Sequence, residues 1–162
     1  MRLIKIFLIA IAIICTAAFA NAKNSYTAKK LEIVKSIYDE YAKSPPLELS
    51  QMLFPKVEFT PSFNTLLKKD DELFSKMGMI ICIDYNYIIQ GQDFDGKEIG
   101  RTLKFAAQDD GSIKVTFTNF NEPKTLYYVF NCENGKCLID DIIEPTGSFK
   151  KGLKACLEKL NK

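Results

Sequence analysis

The chain lacks histidine and tryptophan altogether, and it is sparing with glycine (8) and proline (6) in 162 residues. Without histidine there is no Ser-His-Asp or Cys-His catalysis, no imidazole metal ligand and no ordinary pH switch near neutrality. The sequence shows no repeats, no low-complexity stretch and no internal linker. Charge of one sign is also missing. Lys plus Arg total 22 and Asp plus Glu 20. The excess lies in Arg2 and Lys5, inside the first segment, so the remainder is balanced and gives no electrostatic footprint for nucleic acid. Only one long apolar run is present, Ile6 to Ala18, shorter than the 18 or more residues of a spanning helix.

That run follows a positive start and ends at two small-x-small sites, Ala18-Phe19-Ala20 and Ala20-Asn21-Ala22. The pattern is that of a secretory signal peptide over residues 1–22, cleaved after about Ala20 or Ala22. It leaves one domain over residues 23–162, in the periplasm or secreted, with no membrane span after cleavage. The alternative is a lipoprotein anchored through Cys15, although Ile14 precedes that cysteine where a small residue is usual.

Four cysteines remain, Cys82, Cys132, Cys137 and Cys156, and an even count in an exported chain points to disulfides. Three pairings are open. Cys132 and Cys137 flank Glu133-Asn134-Gly135-Lys136, and Asn-Gly is a strong hairpin-turn signal, so the turn favours Cys132 with Cys137 and leaves Cys82 with Cys156. The spacing does not suit a two-residue redox dithiol or paired zinc ligands.

Leu31, Val34, Tyr38 and Tyr41 recur at helical spacing within a helix from about Ser25 or Thr27 to Ala42, ended by Ser44-Pro45-Pro46. Leu47 to Leu53 reads as a short helical turn. Thr60-Pro61 reads as a capping hydroxyl and first-turn proline for a helix with the stripe Phe63, Leu66, Leu67, Leu73, Phe74 and Met77, stopped by Gly78. Lys68-Lys69 and Asp70-Asp71-Glu72 read as its solvated face. From Ile80 the period is two. Strands are expected over Ile80–Gln90, around Leu103–Ala107, Ile113–Thr118, Leu126–Cys132 and Leu138–Ile143, with turns at Asp109–Ser112, Asn121–Lys124 and Asn134-Gly135. Phe149, Leu153, Cys156, Leu157 and Leu160 form a last helix capped by Ser148. The fold class expected is α+β: N-terminal helices on a curved antiparallel β-meander, then a C-terminal helix.

Three segments carry a resemblance: Val34-Lys35-Ser36-Ile37-Tyr38-Asp39-Glu40-Tyr41, Gln90-Gly91-Gln92-Asp93-Phe94 and Leu138-Ile139-Asp140-Asp141-Ile142. They resemble the exported bacterial family called domain of unknown function 3828, with Phe94 and Leu138 where that family often has Trp. The resemblance implies a nuclear transport factor 2-like, or cystatin-like, fold and carries over no catalytic residue.

No catalytic residue, metal ligand or cofactor is expected. Gln92-Asp93-Phe94-Asp95-Gly96 has the look of a calcium loop but fails its spacing and reads as a turn or a partner-facing loop. Candidate binding residues are Gln92, Asp93, Tyr85, Tyr87, Tyr127, Tyr128, Asp140 and Asp141. The tyrosines offer contact area at low entropic cost, with half of them facing inward by strand alternation. Alternation also sends one of Asp140 and Asp141 toward a concave face. The expected function is a non-catalytic, protein-binding module of the cell envelope, an immunity protein or a complex accessory. The alternative is a small apolar-ligand pocket with Asp-based, isomerase-like chemistry.

Overall fold

The computed structural model describes residues 26–42 and 57–160. The expected signal segment, Cys15 and the turn over Leu47–Leu53 lie outside them. The class is α+β. In chain order the described elements are α1 (26–42), α2 (Pro61–Met77), α3 (Gly96–Thr102), β1 (Lys104–Ala107), β2 (Ile113–Asn119), β3 (Glu122–Glu133), β4 (Lys136–Glu144), β5 (Gly147–Ser148) and α4 (Phe149–Leu160). The strands form one antiparallel sheet in sequential order.

α1 places its stripe on the sheet as its periodicity demands. Val34, Tyr38 and Tyr41 are buried, and the Tyr38 ring meets Phe105 of β1, Phe117 of β2 and Tyr128 of β3 at 5.5–6.3 Å. α2 and α4 lie side by side, their first turns joined by Phe63 and Phe149 at 5.9 Å, and Cys82, held beside α2 by Asp70, is bonded to Cys156 of α4. One face of the sheet thus carries the core. The other presents half-exposed Lys114, Thr116, Thr125, Tyr127, Val129 and Ile143, the mixed surface of a solvent-facing antiparallel sheet.

β2 alternates buried and half-buried residues without a break. β3 and β4 meet at the Asn134-Gly135 turn, where both residues take positive φ (51° and 75°), the conformation Asn-Gly supplies at least cost. Cys132 stands opposite Cys137 and is bonded to it, and Cys82 is bonded to Cys156.

Several expectations need correction. Residues 80–90 do not form a strand. Their backbone groups find other partners: Asp70 accepts the Cys82 N–H (3.1 Å), Asn86 and Gly91 bond each other, Asn86 Oδ1 accepts the Ile88 N–H, and Tyr38 donates to the Ile88 carbonyl. Asn86, Tyr87, Ile88 and Ile89 are buried in succession, which no half-buried strand permits. Asp70 is accordingly buried, not part of a solvated face. Thr60 precedes α2 but its hydroxyl does not cap it; the hydroxyl donates to Asp140 Oδ1 (2.8 Å). The β2–β3 turn falls at Phe120-Asn121, and Glu122 to Lys124 already pair with β2. α3 was not expected. Asp95 caps it by accepting the N–H groups of Lys97 and Glu98.

Candidate functional site

The candidate residues follow from β4. Its buried positions are Cys137, Ile139, Ile142 and Glu144, so the inward period skips once. The cause is a β-bulge: Val129 faces Asp141 and Phe130 faces Ile139, leaving Asp140 unpaired in the ladder. Asp140 and Asp141 therefore both miss the core, and the expected alternation fails there.

Both aspartates are occupied in the structure. Asp140 accepts from Thr60 Oγ1 and from Lys150 Nζ (2.7 Å), and the Lys150 bond holds its carboxyl below the usual range. Asp141 accepts the Ile142 N–H (2.8 Å), the Lys150 N–H (3.0 Å) and the Ser148 hydroxyl. Ser148 in turn accepts the Lys151 N–H, so the expected cap of α4 is present, with the Asp141 carboxylate behind it.

The tyrosines are not gathered on one surface. Tyr87 and Tyr128 are in the core. Tyr38 donates to the Ile88 carbonyl (2.9 Å), so its single proton is used and Tyr128 donates to it (3.1 Å). Asn86 donates to the Tyr41 hydroxyl (2.9 Å). Tyr87 stacks on Phe149 at 4.4 Å, while its buried hydroxyl has no partner among the described residues. Burial raises all four phenols, Tyr41 to about 12, so they stay neutral hydrogen-bonding groups at physiological pH. Tyr127 lies on the open face under Lys114 Nζ (5.7 Å). Gln92 and Asp93 are exposed, Gln92 donating to the Asp84 carbonyl and the Asp93 carbonyl accepting from Asn119.

A buried acid escaped the sequence reading. Glu144 receives the Tyr85 hydroxyl (2.6 Å), and burial raises its carboxyl despite the Tyr85 and Thr146 hydroxyls. Its place two residues beyond inward Ile142 was the available signal.

Two surface features are open. Grooves of about 540 and 370 Å³ flank α1. The larger is lined by Ile33, Ile37, Val57 and Glu58, with Cys137 beside it; the smaller includes Ala107 and Cys132. The second feature is an apolar patch. The stripe of α2 overruns the core, so Phe74 and Met77 are about half exposed, followed by Met79 and Ile80. Gly78 turns the chain in the left-handed region (φ 66°) between them. Leu160, in the last turn of α4, is also exposed.

Among the described residues no group of three or more His, Cys, Asp or Glu is placed to hold a metal ion, and no helix is long and apolar enough to cross a membrane. No protein-family model, curated protein or solved structure matches the chain.

Proposed function

We propose that this chain is an exported, disulfide-held binding module that recognises another protein in the cell envelope and performs no chemistry. The carrying observation is the set of exposed apolar residues Phe74, Met77, Met79 and Ile80, four within seven positions of the chain, since clustered exposed apolar side chains mark interaction surfaces. Its base is fixed. Asp70 holds the Cys82 amide, and Cys82 is bonded to Cys156 one turn before Leu160. A surface ordered before contact loses less entropy on binding. Two disulfides suit an oxidising compartment, and cleavage after Ala20 or Ala22, or anchoring through Cys15, belongs to the same reading. The motif resemblance to an exported family without assigned catalysis supports it, as do the exposed loop residues Gln92 and Asp93.

The small-ligand alternative has one observation in its favour, the larger groove with Ile33, Ile37 and Val57. The carboxylate on that groove is Glu58, which pairs with Lys136 (2.7 Å); Asp140 and Asp141 are not on it.

The test is capture of envelope proteins by wild type and by the double variant Met77→Glu, Ile80→Glu. A stoichiometric partner lost in the variant, at unchanged melting temperature, supports the reading. Equal capture by both proteins, or none by wild type, rejects it.

A further inference from the structure

The two edges of the sheet are treated differently. Along β4, the outer edge is met by β5 at Ile143 and Glu144 and by a parallel bridge from Phe59 to Ile139. Along β1, the outer edge has no backbone partner among the described residues. Uncovered edges template further pairing.

The phase of the ladder says which groups are offered. The Gln108 N–H donates to the Ser112 carbonyl (2.9 Å), and the register Ala106↔Lys114 and Lys104↔Thr116 continues that alternation. Lys104, Ala106 and Gln108 thus turn their backbone groups to β2. Phe105 and Ala107 turn theirs outward.

We propose that a second copy of this chain pairs with β1, antiparallel, about a two-fold axis at Ala106. With that axis, Phe105 of each copy faces Ala107 of the other, and the two outward N–H and two outward C=O groups of each strand are all satisfied by four hydrogen bonds. Ala106 meets the second copy's Ala106, the smallest side chain that a strand contact can carry without a kink. The ends of the strand are complementary in charge. Lys104, exposed, lands opposite the second copy's Gln108 and within side-chain reach of its exposed Asp109. No like charges stand directly opposite. Such an interface is isologous and closes as a dimer. An unrelated strand would use the same backbone groups, but self-complementary phase and end charges favour a second copy.

This interface is independent of the α2 patch, and its test leaves that patch intact. Sedimentation equilibrium of the purified protein is expected to show a dimer. Ala107→Pro removes an outward N–H without costing a bond to β2, and should raise the dimer dissociation constant about tenfold or more. Ala106→Cys puts two thiols across a non-hydrogen-bonded pair, where Cα atoms lie about 4.5 Å apart, within disulfide reach. It should give a dimer on non-reducing gels that Lys104→Cys does not. A monomer at all concentrations, absence of the Ala106→Cys cross-link, or an Ala107→Pro dimer as tight as wild type overturns the proposal. So does a monomer whose Phe105 and Ala107 amides become protected from exchange only when another protein is added.

Discussion

Tyr38 and Tyr87 are both buried phenols, yet one hydroxyl is used twice and the other has no partner among the described residues. Tyr38→Phe orphans the Ile88 carbonyl and the Tyr128 proton, so it should destabilise by about 1–3 kcal/mol. Tyr87→Phe removes a buried hydroxyl without a partner among the described residues, and should be neutral or stabilising by up to about 1 kcal/mol. Urea unfolding of the two variants measures the contrast; equal losses would contradict the assigned network. Glu144 allows a pH experiment with a definite sign. Burial raises its carboxyl in the folded state above its unfolded value, so the charged form is disfavoured by folding. Below the unfolded pKa both states are protonated and the penalty is absent. It grows as pH rises through the folded pKa. Glu144→Gln, whose amide oxygen can still accept from Tyr85, should therefore be more stable than wild type at neutral pH, with the gap closing under acid. Asp140 has the opposite slope, because Lys150 lowers its carboxyl and the resulting stability is lost as pH falls.

At the scale of elements, the bulge in β4 links strand and helix. It turns Asp141 toward the first turn of α4, where the carboxylate takes the Ser148 hydroxyl and the Lys150 N–H. Asp141→Ala should cost about 2 kcal/mol or more, as the support of the Ser148 cap and part-buried charge-assisted bonds are lost together. Asp140→Ala removes a partly exposed ion pair and should cost under about 1 kcal/mol, a difference that chemical unfolding resolves. The bulge also marks where sequence reading stops. Alternation points to β2 and the Leu126–Cys132 part of β3, and Asn134-Gly135 points to the hairpin, because those depend on local pattern and turn chemistry. Nothing local announces the extra residue at Asp140, whose partners Thr60 and Lys150 come from other parts of the chain. Residues 80–90 misled for a related reason: Ile and Tyr suit a strand, but the segment's amides are taken by Asp70 and Asn86 and its own Cys82 is bonded to Cys156. Seven-residue α3 is too short to show a period, although Asp95 and Glu98 stand at the spacing of a capping box.

For the whole molecule, the two disulfides do different work because they close different lengths of chain. Cys132–Cys137 spans 5 residues and reinforces a hairpin that its turn already specifies. Cys82–Cys156 spans 74 residues and ties the loop after α2 to α4 across the entire sheet-forming region. In the chain-entropy account the long closure contributes about 4 kcal/mol and the short one roughly 2 kcal/mol. Replacing Cys82 and Cys156 by alanine should thus lower the melting temperature more than replacing Cys132 and Cys137. The long bridge also anchors the chain two residues after Ile80 and one turn before Leu160, so its loss should loosen the patch. Partner capture should then weaken in the Cys82→Ala, Cys156→Ala protein even at a temperature where it remains folded, while the hairpin variant captures as wild type does. Equal capture by both variants would detach the patch from recognition and return the question to the grooves beside α1.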